Sequence, residues 1–518
     1  MLIKVASALH IGLETVGVDV EINMASRGLP GFEIVGLPSK AVDESKERVR
    51  TAIVNSQIEF PPRKITVNLA PADIPKEGSF YDLPIAVGIL SSVLDFRIPK
   101  KALFFGELSL DGSLRHTKGA LLLALYAKEA GYTHLFVPKD SVNEAAVIPE
   151  ITVYPVAHLA EVVEHLAGRY ALQPVVMPLP SSLSENLPSA EFDMAEILGQ
   201  EQAKRAMEIA AAGGHNILMV GSPGAGKTML ARALPGILPP LQTTESLEVT
   251  KIYSASGNIP AGGGLLATRP FRAPHHSTSL VGLIGGGSKP QPGEISLAHR
   301  GVLFLDEFNE FPRAVLEALR QPLEDGTVTI ARSLRRVQYP AQFMLVASAN
   351  PCPCGYLNHP KKPCICSPRE VQKYQKRTSG PILDRIDLHV EVPAVEVDDL
   401  AQHFSAGQEG AGLAPETSQK IRERIQQARD IQQQRFSSDN IRVNAEMKNA
   451  HLKQHVKLTP AVEQILRQAA NRFQLSARSY FRMQKIARTI ADLDGVSEIA
   501  VKHMAEALQY RPKINNEE

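Results

Sequence analysis

The octapeptide Gly221-Ser222-Pro223-Gly224-Ala225-Gly226-Lys227-Thr228 carries the clearest chemistry in this sequence. Its three glycines let the backbone bend around a polyphosphate with its amides pointing inward. The helical pattern that follows offers its positive N-terminal end to the same charge. Lys227 then reaches the outer phosphates of a nucleotide such as ATP, and Thr228 supplies a hydroxyl ligand for the accompanying Mg2+. The bland alternative is a glycine-rich turn that binds nothing, but all four fixed positions of a P-loop stand here between a strand pattern and a helix pattern.

Further along, GVLFLDE (Gly301 to Glu307) is an apolar run that ends in two carboxylates. A buried parallel strand of this kind delivers its acids to the sheet edge where ligands bind. Asp306 is placed to complete the Mg2+ shell, and Glu307 to orient and deprotonate the water that attacks the γ-phosphate. Asn350 stands just past another apolar run, Phe343 to Ser348, where its amide can meet the γ-phosphate or the lytic water. Arg385, inside Leu383-Asp384-Arg385-Ile386-Asp387, is a permanent cation suited to the charge that accumulates in phosphoryl transfer. A salt bridge to Asp384 or Asp387 is its ordinary alternative.

The chain's four cysteines are Cys352, Cys354, Cys364 and Cys366, two C-x-C pairs with residues 355 to 363 between them. Four thiolates can close a tetrahedral Zn2+ site, and in a reducing compartment such clustering favours metal over disulfides. The spacing departs from the usual zinc gap, and redox-active or free thiols are the alternative. His359 in the same loop reads as a bystander. His275 and His276 are adjacent, and neighbouring side chains of an extended chain face opposite ways. They therefore point to a structural or nucleotide-adjacent loop rather than a metal site.

These groups need elements to hold them. With 518 residues the chain exceeds one core, and 44% hydrophobic against 21% charged residues fits a folded protein. The fold class expected is α/β. Residues 1–169 mix short strands (Ile65 to Leu69) with helices (Ala41 to Ile53, Leu83 to Val93), an α+β unit. Residues 170–191 are rich in Pro and Ser and read as a linker. Residues 192–395 hold the nucleotide site, a helix at Gln200 to Ala212, another at Pro312 to Gln321, and a β-hairpin, Thr327 to Arg332 with Arg335 to Tyr339. Residues 396–518 begin with an acidic, Gly-containing connection (Val397 to Ala414). Helices follow at Ser418 to Arg435, Thr459 to Ala470, Ser476 to Asp494 and Val496 to Leu508. In the third of these, Arg482, Lys485 and Arg488 follow Arg478 at near-helical spacing and read as a solvated face.

No apolar stretch reaches membrane length and the N-terminus lacks a signal-peptide pattern, so a cytoplasmic protein with no membrane partner is expected. A net charge of only +1 means that contact with nucleic acid has to come from local patches. Arg332, Arg335 and Arg336 near the hairpin tip are the first candidates, with Lys361 and Lys362 beside the cysteines second.

Several stretches carry a resemblance. EGSFYDLPIAVGIL (Glu77 to Leu90), FGELSLDGSLRHTKGALLLAL (Phe105 to Leu125) and LFVPKDSVNEA (Leu135 to Ala145) resemble the proteolytic domain of the Lon family, a ribosomal S5 domain 2-like fold. Laid on that pattern, Phe80 occupies the nucleophile position and Leu123 the lysine position. The resemblance therefore implies a scaffold without peptidase activity, and a shifted dyad of Ser79 with Lys76 or Lys118 is the exception to test. The order of P-loop, Asp-Glu strand end, Asn350, Arg385 and Arg478 in a C-terminal helical lid resembles AAA+ ATPases. FRAPHHS (Phe271 to Ser277), the hairpin and LDRIDLHVEV narrow this to the magnesium-chelatase subclade. With the Lon-like front, the C-x-C pairs and SARSYFRMQKIARTIADL, nearly the whole chain resembles the YifB/ComM family.

That resemblance implies a ring, usually a hexamer, in which Asn350 is the first sensor, Arg385 enters the neighbouring subunit's site and Arg478 senses the γ-phosphate. It also implies an ATP-driven translocase or helicase on single-stranded and branched DNA, promoting branch migration in natural transformation. A chelatase-type motor that remodels a protein partner and an ATP-dependent Lon-like protease are the alternatives.

Overall fold

The computed structural model describes residues 2–25, 29–175, 190–259, 262–287, 290–332, 335–394, 415–439 and 441–512. Most of the expected linker and the acidic connection at 397–414 lie outside them. Among the described residues no helix is long and apolar enough to cross a membrane.

The front of the chain builds a seven-stranded mixed sheet. In chain order its strands are β1 (Leu2–Ile11), β2 (Glu14–Met24), β3 (Gly31–Val35), β4 (Lys64–Ala70), β5 (Ala102–Phe104), β6 (His134–Pro138) and β7 (Thr152–Val156). They lie in the order β3-β4-β2-β1-β5-β6-β7. β1 and β2 form a long antiparallel hairpin that closes where Ile11 faces Glu14. Alternation in β4 buries Ile65, Val67 and Leu69 on one face. Helix α1 (Asp82–Leu94) is buried from Asp82 to Ser91, as its apolar run requires. The one charge this helix buries, Asp82, is paired with Arg48 at 2.7 Å. Helix α2 (Ala120–Glu129) covers a second cluster with Leu103, Leu135 and Val153. Leu172, inside the expected linker, packs into the front core.

The second sheet is wholly parallel: β8 (Ile217–Gly221), β9 (Phe271–Arg272), β10 (Val302–Leu305), β13 (Met344–Ala349) and β14 (Leu388–Val392). Their order is β9-β10-β13-β8-β14. Both faces are covered, which is why these strands read as unbroken apolar runs. Ile217, Met219, Val302 and Phe304 pack with helices α3 (Glu201–Gly213) and α4 (Lys227–Ile237). Leu218, Leu303 and Leu305 point the other way, onto Phe308 and Val315. The hairpin β11 (Thr327–Arg332) and β12 (Arg335–Pro340) has the expected register, with Arg332 opposite Arg335. Helix α5 (Thr243–Ser256) lies beside this unit.

The helix expected over Pro312 to Gln321 is two pieces, α6 (Arg313–Ala318) and α7 (Arg320–Asp325). Pro322 explains the break, since it cannot donate to the carbonyl four residues earlier and its ring crowds that turn. The C-terminal helices are α8 (Ser418–Arg435), α9 (Pro460–Arg472), α10 (Ala477–Leu493) and α11 (Val501–Gln509). Arg429 and Gln432 of α8 donate to the carbonyls of Ala211 and Ala212, satisfying the end of α3. α11 begins later than expected, because Gly495 turns at φ +68° and Ile499 bridges Leu458.

Among the described residues, front and core touch on two sides. On one side Ser254 of α5 donates to Glu144, and Asn143 donates to the Gly262 carbonyl at 2.7 Å. On the other, the turn between β1 and β2 presses on β12. Gly12, at φ +63°, stands so close to Val337 that no Cβ fits there, and Ile11 and Leu13 join the apolar cluster of Val337 and Tyr339.

Candidate functional site

The P-loop bends between β8 and α4. Gly224 and Gly226 take φ of +78° and +88°, values that L side chains adopt only with strain. The Lys227 side chain is buried and its ammonium donates to the carbonyls of Gly221 (2.7 Å) and Ser222 (2.9 Å) and to Asn350 Oδ1 (3.2 Å). Burial pushes this ammonium below the ordinary lysine value, while Asp306 and Glu307 pull it back up. Thr228 Oγ1 donates to Asp306 Oδ2 at 2.9 Å, so a hydroxyl and a carboxylate converge where Mg2+ chemistry needs both.

One neighbour of these groups escaped the sequence reading, and another lies in the histidine loop expected to be structural or nucleotide-adjacent. Buried Ser348 of β13 donates its hydroxyl to Asp306 Oδ1, fixing the carboxylate. Glu307 sits in the left-handed region at φ +53°, a strained position of the kind found at functional sites. Its half-exposed carboxylate has His276 Nδ1 at 3.4 Å. The histidine pair is therefore adjacent to the P-loop acids, and His275 bonds Ser277 at 2.8 Å. A small polar residue in an otherwise apolar strand is the only sequence signal Ser348 offered.

Arg385 lies at the opposite edge of the sheet, because it precedes β14 while the P-loop, Asp306, Glu307 and Asn350 all follow their strands. It pairs with Glu324 of α7 rather than with Asp384 or Asp387, and it also donates to the Pro381 carbonyl at 2.6 Å. Arg478 reaches the other oxygen of Glu324 at 2.8 Å, so both arginines meet on one carboxylate. Asp387 accepts the Asn216 amide at 3.1 Å and pairs with Arg482 at 3.0 Å. A cavity of about 1270 Å3 opens here between sheet and lid, with Arg269, Arg300, Arg385, Arg442, Arg478 and Arg482 in its wall.

The expected solvated face on α10 is not there. Arg482 and Arg488 are buried, the first on Asp387 and the second on Asp492 at 3.0 Å. Lys485 donates to the Ala445 carbonyl at 2.9 Å, and burial lowers its affinity for a proton. Helical spacing of cations reveals nothing of Asp387 or the Ala445 carbonyl, brought in from outside the helix, although Asp492 lies on the helix itself one turn after Arg488.

The four sulfurs gather. Cys352 to Cys354 is 3.4 Å, Cys352 to Cys364 3.7 Å and Cys354 to Cys364 3.6 Å, and all four lie within 4.8 Å of one another. A disulfide would hold its sulfurs at about 2.05 Å. Zn–S bonds of about 2.3 Å in a tetrahedron give sulfur–sulfur edges of about 3.8 Å, which this cluster matches. His359 instead accepts the amides of Lys361 (3.1 Å) and Lys362 (3.0 Å). Arg336 of the hairpin is exposed, whereas the side chains of Arg332 and Arg335 lie outside the described residues.

At the Lon-like position, Phe80 stacks on Phe105 with ring centres 4.5 Å apart, and Leu123 is fully buried. Ser79 donates to Glu107, Lys76 donates to the Pro71 carbonyl, and Lys118 packs against Gly257. Each member of the shifted dyad thus has a partner other than its supposed mate.

Comparison with known proteins matches residues 193–400 to "Magnesium chelatase, subunit ChlI", 20–141 to "Subunit ChlI of Mg-chelatase" and 415–511 to "Magnesium chelatase, subunit ChlI C-terminal". The competence protein ComM of Haemophilus influenzae is 42% identical over 513 residues, 98% of this chain and 97% of that one. The uncharacterized protein YifB of Escherichia coli is 40% identical over 514 residues, 98% of this chain and 96% of its own. The magnesium-chelatase 38 kDa subunit of Rhodobacter capsulatus is 30% identical over 178 residues, 31% of this chain and 50% of that one. With a parallel core sheet of AAA+ type, a helical C-terminal region and full-length identity at this level, the chain belongs to the YifB/ComM family of magnesium-chelatase-like proteins.

Proposed function

We propose that the chain is a ring-forming ATPase that translocates on DNA and promotes branch migration when imported DNA recombines. The observation that carries this reading is the division of polar groups between two edges of one parallel sheet. β8 spans five residues. At about 3.3 Å each, its ends are about 16 Å apart, farther than one arginine side chain reaches. Arg385 therefore cannot serve its own P-loop, but a second copy that presents this edge to the first brings the guanidinium to the γ-phosphate. Repetition of that head-to-tail contact closes a ring, expected to be a hexamer.

Within one site, the P-loop amides and Lys227 hold the phosphates, and Thr228 and Asp306 would hold Mg2+. When bound, that ion would supply positive charge to offset the charge developing on the phosphates. Glu307 takes the proton of the attacking water, and its exposed carboxylate gives the water access. Asn350 hydrogen-bonds the water or the γ-phosphate, and Ser348 keeps Asp306 in place. Arg385 and Arg478, tied to one carboxylate, arrive together from the neighbour. Zn2+ on Cys352, Cys354, Cys364 and Cys366 would serve as a structural clip.

DNA is reached through the hairpin. Arg332, Arg335 and Arg336 at its tip suit non-specific contacts with a phosphate backbone in a central channel. The Haemophilus relative's designation as a competence protein supports the setting in natural transformation. The test is displacement of a three-stranded junction by purified protein with ATP, with Glu307→Gln as control. Displacement by the native chain alone is expected. No displacement, together with no stimulation of ATP turnover by single-stranded or branched DNA, would remove the DNA reading and favour a motor acting on a protein.

A further inference from the structure

The loop that carries the cysteines runs from Asn350, at the end of β13, to the capped helix Pro368–Gln375. Its backbone holds neither helix nor strand between Pro351 and Ser367. Gln375 fixes its start through the Pro351 carbonyl at 3.1 Å, and a turn bonds the Gly355 amide to the Cys352 carbonyl at 2.9 Å. Gly355 takes φ +82°, and a Cβ there would stand 2.5 Å from Cδ and 2.6 Å from Cγ of Pro223. Pro223 is the third residue of the P-loop. The turn from Cys352 to Gly355 therefore rests directly on the phosphate cradle. Asn350, two residues before Cys352, accepts the Lys227 ammonium from the same side.

We infer that metal bound by the four cysteines positions the nucleotide site, holding Gly355 against Pro223 and Asn350 against Lys227. The inference rests on the reading of the P-loop as an ATP site. Four clustered thiolates repel one another unless a cation sits among them, and a loop of this length without regular structure loses its shape when its clip is removed. Both contacts on the cradle lie within the loop's first six residues, Asn350 to Gly355, so their registry depends on that shape. Displacing such a group by a fraction of an ångström is enough to weaken phosphate binding, because the cradle works through aligned amides.

The cleanest probe is binding, not turnover. In a Glu307→Gln background, zinc per chain is measured by metal analysis, and a fluorescent ATP analogue is titrated into loaded, chelator-stripped and zinc-restored full-length protein. One zinc per chain is expected, with affinity at least about tenfold weaker after stripping and restored by Zn2+ but not by Mg2+. Gly355→Ala separates positioning from folding. It leaves all four thiolates in place, so it is expected to keep its zinc and still bind the analogue several-fold more weakly. Unchanged affinity in zinc-loaded Gly355→Ala and in the stripped native protein would overturn the coupling, and a native protein that carries no zinc as purified yet binds the analogue tightly would overturn the metal as well. Failure of zinc-loaded protein to bind any nucleotide would instead sink the ATPase reading, and the inference with it.

Discussion

The two edges of the five-stranded sheet handle charge in opposite ways. At the C-terminal edge, one cation, Lys227, lies among backbone carbonyls, an amide oxygen and the Asp306–Glu307 pair, all within one chain and one loop cluster. At the N-terminal edge, arginines gather in pairs on shared carboxylates. Arg385 and Arg478 share Glu324, and Arg300 and Arg442 share Glu248 with His299. One edge is built to receive phosphate and metal. The other is built to supply positive charge, and its own cradle is a strand length away.

The sharpest way to break this comparison is to disable each edge in a different copy. Lys227→Ala and Arg385→Ala are each expected to lower ATP turnover by about a thousandfold, the first with loss of nucleotide binding and the second without it. Mixed in equal amounts, the two dead proteins should regain part of the native rate, since some interfaces then pair an intact cradle with an intact arginine. A mixture as inactive as its parts would show that the edges do not meet between copies.

A smaller effect is expected from Glu324→Gln, which removes the charge that aligns both arginines. Turnover should fall by a few-fold to about tenfold with little change in nucleotide affinity, as steady-state kinetics and equilibrium titration would separate. An unchanged rate would mean that the arginines are oriented by something other than this carboxylate.

The mildest expectation concerns acid. Burial alone would raise the Glu248 carboxyl, but the hydrogen bond from His299 and the charges of Arg300 and Arg442 outweigh it and hold the value at about 2. A carboxyl held that low adds stability that is complete above the ordinary value of 4.5 and is lost as pH falls toward about 2. Urea midpoints measured across that window should decline, and Glu248→Gln should flatten part of the decline.

The C-terminal edge was legible because a phosphate-binding motif fixes residue type and spacing within a few residues. Lys227, Thr228, Asp306 and Asn350 stand together as their motifs imply. Glu324 and Ser348 were not legible, because each is an ordinary polar residue whose meaning comes from a neighbour 42 to 154 positions away in the chain. Arg482 and Arg488 show the same limit from the other side. Their spacing suggested solvent, yet Asp387 and the Asp384 carbonyl from outside the helix enclose Arg482, and Asp492 one turn on, with the Val496 and Ser497 carbonyls, encloses Arg488. The hairpin's register followed from strand alternation, while the break at Leu319 turned on one proline whose cost outweighed the helical pattern around it.

The glycine at the tip of the first hairpin leaves one lasting consequence. Because Gly12 rests on Val337 with no room for even a methyl group, the base of β12 cannot tilt toward the front sheet, and a tilt away from it opens an apolar seam that Ile11 and Leu13 now seal. The front sheet thus serves as a mechanical stop for the hairpin and gives it a defined resting angle.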